Sequence, residues 1–111
     1  MKKERLQLRI IGMVQGVGFR PFVYHLATRL KLVGWVLNDG SGVTIELEGF
    51  REGLLEFLDR LEADKPTASI IYAMDRRFIE PEGSTKFTIR SSDTESATSA
   101  WIWATVLSGI T

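Results

Sequence analysis

Leu6, Leu8 and Ile10 alternate with Gln7, Arg9 and Ile11, a period of two that predicts a strand with one buried face. A glycine-rich stretch follows, and Pro21 then marks a first helical turn, where a missing N–H costs nothing. Phe22, Val23, Leu26, Ala27 and Leu30 fall on one helical stripe, and Gly34 is the expected end of that helical region. Trp35-Val36-Leu37 reads as a second strand and Asn38-Asp39-Gly40-Ser41-Gly42 as a tight turn. Val43, Ile45 and Leu47 alternate with Thr44, Glu46 and Glu48 in a third strand, which Gly49 breaks. Leu54, Phe57, Leu58 and Leu61 have the spacing i, i+3, i+4, i+7, so a second amphipathic helix is expected from about Arg51 to Ala63. Ala68 to Phe78 is a β-rich run, residues Ile79 to Ser84 a loop, and Phe87 with Ile89 a last short strand.

The element order is β-α-β-β-α-β with an extra terminal strand. That order predicts an α+β, ferredoxin-like sandwich: an antiparallel sheet with two helices on one face. The domain is expected to occupy residues 1–91. Residues 92–111 form a tryptophan-containing tail, uncharged from Ser96 onward, with no obvious place in such a core. One reading of the tail is an extension outside the domain; the other is a segment that docks on its own or a neighbouring chain.

Composition narrows the function more than the fold. The 111 residues suit one core. Fourteen basic and 14 acidic side chains cancel, which argues against a polyanion partner recognised by bulk charge, nucleic acid included. Absence of cysteine excludes disulfides, thiolate metal sites and a cysteine nucleophile, and fits a reducing cytoplasm. No signal peptide is expected, and no apolar run reaches the roughly 20 residues that span a bilayer. The lone histidine, His25, lies off the apolar stripe and reads as a solvated helix residue.

The candidate chemistry lies between Gly12 and Arg20. Gly12, Gly16 and Gly18 allow a loop whose backbone N–H groups converge, and the helix start that follows adds unpaired amides and a favourable dipole. Arg20, at the junction, can hold two phosphate oxygens with its planar fork. Three glycines in seven residues also fit a tight βα turn with no ligand. The spacing matches neither the Walker pattern nor the dinucleotide fingerprint. Asn38 can approach the loop in a fold of this size and orient a water; its position in an Asn-Asp-Gly turn explains it equally well.

Val14-Gln15-Gly16-Val17-Gly18-Phe19-Arg20, with Gly34-Trp35-Val36-Leu37-Asn38 and Gly42-Val43, resembles the two signatures of acylphosphatases, over about Leu6 to Arg90. The continuation Phe19-Arg20-Pro21-Phe22-Val23-Tyr24 and the run Asn38 to Val43 are most similar to the N-terminal acylphosphatase-like domain of the hydrogenase maturation carbamoyltransferase HypF. The resemblance implies binding and hydrolysis of acyl phosphates, with carbamoyl phosphate the expected substrate. Arg20 and Asn38 would be catalytic. Gln15, Gly16, Val17, Gly18, Phe19 and Arg20 would bind phosphate, with no metal and no cofactor. Downstream HypF domains and other hydrogenase maturation proteins are implied partners; nucleic acid and membrane are not. The alternatives are a stand-alone acylphosphatase, or a phosphate- or carbamoyl-phosphate-binding module inactive in isolation.

Overall fold

The computed structural model describes residues 2–91; the tail expected from residue 92 onward lies outside the described residues. Seven elements follow in order: β1 (Glu4–Met13), α1 (Phe19–Arg29), β2 (Val33–Asn38), β3 (Val43–Gly49), α2 (Arg51–Asp64), β4 (Ile70–Ile79) and β5 (Phe87–Arg90). The strands form one sheet in the order β4-β1-β3-β2-β5. Three ladders are antiparallel, as the element order predicts, and the added terminal strand β5 lies parallel to β2, which makes the sheet mixed.

Alternation sorts the two sheet faces. Leu6, Leu8 and Ile10 of β1 and Ile45 and Leu47 of β3 are fully buried and share one core cluster with Val36 of β2 and Phe87 of β5. Phe19, Val23, Leu26 and Ala27 of α1 and Leu54, Phe57 and Leu61 of α2 complete that cluster. Phe22, Leu30 and Leu58, expected on the apolar stripes, are only partly buried against it. Among the described residues, no helix is long and apolar enough to cross a membrane.

Helix α1 stops at Arg29, not at Gly34 as the sequence suggests. The Leu32 N–H donates to the Ala27 carbonyl at 2.9 Å and the Lys31 N–H to the Thr28 carbonyl at 3.1 Å, a Schellman pattern. Lys31 takes the left-handed position, φ 61°, that glycine usually fills. Gly34 belongs instead to β2, where a Cβ would sit 1.9 Å from the Glu46 carbonyl oxygen on β3. It permits a close strand approach.

The sheet face away from the helices is polar but not uniformly wet. Arg5 is fully buried there. Its Nε donates to Glu46 Oε1 at 2.8 Å, and its Nη1 to Glu48 Oε1 at 2.9 Å and Ser84 Oγ at 3.2 Å. The connection from β4 to β5 carries the chain from one edge of the sheet to the other. On the way, the Glu82 and Gly83 N–H groups donate to the Glu48 carboxylate at 2.8 and 3.0 Å. One buried ion cluster on β1 and β3 thus anchors the connection that delivers β5 to its place.

Candidate functional site

Strand β1 runs to Met13, and α1 already starts at Phe19, so the free loop is Val14 to Gly18. Val14 is buried and anchors the loop to the core; Val17 packs against the same cluster. Gly16 and Gly18 have φ of 71° and 81°, while Gln15 before them and Val17 between them do not take positive φ. Such alternation curls a backbone so that successive N–H groups face one concavity, the arrangement that binds anions. A Cβ at either glycine meets nothing within 4 Å, so dihedral freedom and not crowding is what glycine supplies there.

Gly12 has another role than the one its place in the glycine run suggests. It lies inside β1, and a Cβ on it would stand 2.0 Å from the Ile70 carbonyl oxygen. The β1–β4 register shifts between Ile11 and Gly12, from Ala73 to Ile71, which leaves Tyr72 bulged. Gly12 therefore lets β4 cross closely at the bulge, just before the loop.

The loop feeds straight into the α1 N-terminus. Gly18 is the N-cap and supplies no side-chain cap, and no acidic residue occupies the first turn. The first N–H to bond back is that of Phe22, to the Gly18 carbonyl at 3.1 Å. Pro21 has no N–H to satisfy. The Phe19 and Arg20 amides are therefore available to an external acceptor. Half-buried Arg20 adds a cation where the helix dipole disfavours one, and it forms no ion pair among the described residues. A helix start of this kind can accept an anion.

Asn38 ends β2, half-buried, beside the loop. Gln15 Nε2 donates to Asn38 Oδ1 at 2.8 Å, and the Gly40 N–H donates to the same oxygen at 3.1 Å. A backbone N–H can only donate, so the atom facing Gly40 must be the carboxamide oxygen, and Gln15 must present its NH2 group to it. Both lone pairs of Asn38 Oδ1 are thereby used. Among the described residues, its Nδ2 hydrogens have no acceptor and can donate. The structure thus brings Gln15 and Asn38 into contact; Gly16, Val17 and Gly18 continue the same loop, and Phe19 and Arg20 open α1.

Two residues that sequence reasoning left out also converge on this hairpin. Arg9 was placed only on the outward face of β1, and Asp39 only in a turn. Arg9 Nη1 reaches Asp39 Oδ2 at 2.9 Å and Arg9 Nη2 reaches Ser41 Oγ at 2.9 Å. Burial would raise the pKa of Asp39, but the Arg9 hydrogen bond and the Ser41 N–H outweigh it and hold the carboxyl below its ordinary value. The available signal was the register of an outward arginine on β1 with the end of the β2–β3 hairpin, which no local pattern reveals. His25 is exposed on α1, as its spacing predicts. Among the described residues, no group of three or more His, Cys, Asp or Glu could hold a metal ion.

The acylphosphatase family model matches residues 6–89. Carbamoyltransferase HypF2 of Cupriavidus necator is 56% identical over 62 residues, which are 56% of this chain and 8% of that protein. The acylphosphatase of Bacillus licheniformis is 42% identical over 87 residues, 76% of this chain and 97% of that protein. Among solved structures, a full-length HypF in its phosphate- and nucleotide-bound form superposes with a TM-score of 0.79 at 36% identity, covering 82% of this chain and 12% of that one. The chain thus spans about a tenth of the HypF relatives and nearly the full length of a stand-alone acylphosphatase.

Proposed function

The chain belongs to the acylphosphatase family, and from that premise we propose that it binds and hydrolyses acyl phosphates, with carbamoyl phosphate as substrate within a HypF-type hydrogenase maturation carbamoyltransferase. The observation that carries this reading is the Gln15–Asn38 hydrogen bond, which docks the β2–β3 hairpin onto the glycine loop.

An acyl phosphate is a mixed anhydride. Its leaving group is a carboxylate or carbamate, stable as an anion, so no strong general acid is required. The phosphoryl transition state is loose, and catalysis is chiefly positioning and charge stabilisation. In this reading the amides from Gln15 to Phe19 and the Arg20 fork hold the phosphoryl oxygens. Asn38 Nδ2–H donates to the attacking water oxygen, whose other lone pair faces phosphorus in line with the leaving oxygen. The new P–O bond forms as the bond to the acyl oxygen breaks. The carboxylate departs with that electron pair, and the proton of the water passes to phosphate or solvent. The reading uses no cofactor or metal. It places the protein in the cytoplasm, with the remaining domains of the larger enzyme and other maturation proteins as partners.

Phosphate release from carbamoyl phosphate and from an aromatic acyl phosphate tests it. The expected result is turnover by the unaltered chain, a loss of at least about a hundredfold in Arg20→Ala, and a comparable loss in kcat for Asn38→Ala. Full activity in Arg20→Ala would sink the reading. The small share of the HypF relatives that the chain spans favours a second reading, a binding module completed by its neighbours. Calorimetric binding of phosphate without turnover would select it.

A further inference from the structure

The hairpin that carries Asn38 is held from outside by one arginine. Arg9 Nη1 donates to Asp39 Oδ2 at 2.9 Å and Thr44 Oγ1 at 2.8 Å; its Nη2 donates to Asp39 Oδ1 at 3.2 Å and Ser41 Oγ at 2.9 Å. Inside the turn, Asp39 Oδ1 also accepts from the Ser41 N–H, the Ser41 hydroxyl and the Gly42 N–H, each at 3.1 Å. Those inner bonds suffice to shape the turn. The cross-strand fork does something else: it ties the turn to β1. Gly42 completes the seat, because a Cβ there would stand 2.5 Å from the Ile10 carbonyl oxygen and 3.3 Å from Arg9 Cζ.

Strand β1 is also the element that ends in the phosphate-binding loop, with Val14 four residues after Ile10. One rigid strand therefore references both halves of the site. We propose that Arg9 and Asp39 are positioning residues that hold the Asn38 carboxamide in register with the loop. This rests on the acyl phosphate reading of the site. Asn38 is adjacent to Asp39, so a tilt of the hairpin displaces Asn38 Nδ2 while leaving Arg20 and the loop amides where they are. A displacement of order 1 Å at a positioned group costs up to about a hundredfold in rate.

The intact chain carries the test. Arg9→Met is expected to lower kcat by about tenfold or more, with KM and the Kd for inorganic phosphate unchanged. In an Asn38→Ala background the same substitution is expected to change kcat by less than about twofold, since both act through one group. Arg9→Lys is expected to recover part of the loss. An equal Arg9→Met loss in the Asn38→Ala background, or unaltered kcat beside an active parent, overturns the proposal. The side-chain NH2 resonances of Asn38 give a readout that does not depend on turnover. They should be sharp in the parent and shifted or broadened in Arg9→Met; unchanged resonances overturn the proposal even if the parent proves inactive, a result that would count separately against hydrolysis. Should Arg9→Met not fold, Asp39→Asn, which keeps the turn acceptor and removes the charge, is read by the same two measurements with the same expected and contrary outcomes.

Discussion

Lys31 closes α1 in the left-handed region, φ 61°, where a side chain costs about 1 kcal/mol relative to glycine. Lys31→Gly is expected to raise stability by roughly 0.5–1 kcal/mol, visible as a higher urea midpoint at unchanged slope. Gly34 behaves in the opposite way. Its Cβ would collide with the Glu46 carbonyl oxygen at 1.9 Å, and its φ of 134° is itself unfavourable for a side chain. Gly34→Ala is expected to lower the urea midpoint, because backbone on both sides must shift. The contrast bounds what glycine says in a sequence. Gly16 and Gly18 were legible as loop glycines because they flank a strand end and a helix start. Gly12 and Gly34 were not legible as close-approach residues, because what they avoid, Ile70 and Glu46, comes from distant sequence. Arg20 was legible as a candidate anion ligand from its place at the junction of the glycine loop and α1, and the structure puts it in the first helical turn with no acid near it. Arg9 was not, since its partner Asp39 lies 30 residues away.

At the level of elements, periodicity located both helices and the strands β1 and β3, whose apolar positions enter a single core, while β2 was read from the short apolar run Trp35-Val36-Leu37 before a turn. β4 is largely exposed along its length at a sheet edge, so its side chains carry little alternation to read, and its bulge at Tyr72 carries none. The connection from β4 to β5 was legible as a loop, but its anchorage was not, because Glu46 and Glu48 looked like ordinary outward residues of an alternating strand and Arg5 lies before the alternation that begins at Leu6. Burial would raise the Glu48 pKa, yet the Glu82 and Gly83 N–H groups and Arg5 hold it below its ordinary value. Asp39 is shifted the same way. Both carboxylates therefore contribute stability that is fully present above the unfolded carboxylate range, about pH 4, and is lost as pH falls through their lower folded values. Stability should be level from neutral pH to about pH 5 and decline below it, with a shallower acid decline in Arg9→Met, which removes the Asp39 part. Arg5→Met strands Glu48 and Glu46 and is expected to cost about 3–5 kcal/mol in urea unfolding. A loss below about 1 kcal/mol would show that solvent reaches the cluster.

On the scale of the whole molecule, one core cluster joins all the described elements except the edge strand β4, which packs through Ile71 and Met74. All of them lie within residues 2–91. A chain ending at Ser91 is therefore proposed to fold alone, with a melting temperature within roughly 2 °C of the longer chain and equal phosphate affinity. A fall of about 8 °C or more would assign structural work to residues 92–111. The match to nearly the full length of a stand-alone acylphosphatase and to about a tenth of HypF agrees with such a self-contained unit. The central claim is that this unit seats a phosphoryl group between the Gln15–Phe19 amides and Arg20, facing Asn38. A crystal structure of the chain with inorganic phosphate tests it most directly. The account predicts phosphate oxygens within hydrogen-bond distance of those amides and the Arg20 guanidinium, with Asn38 Nδ2 turned toward the open side of phosphorus. Phosphate bound elsewhere, or in the loop with Arg20 and Asn38 both turned away, would contradict it.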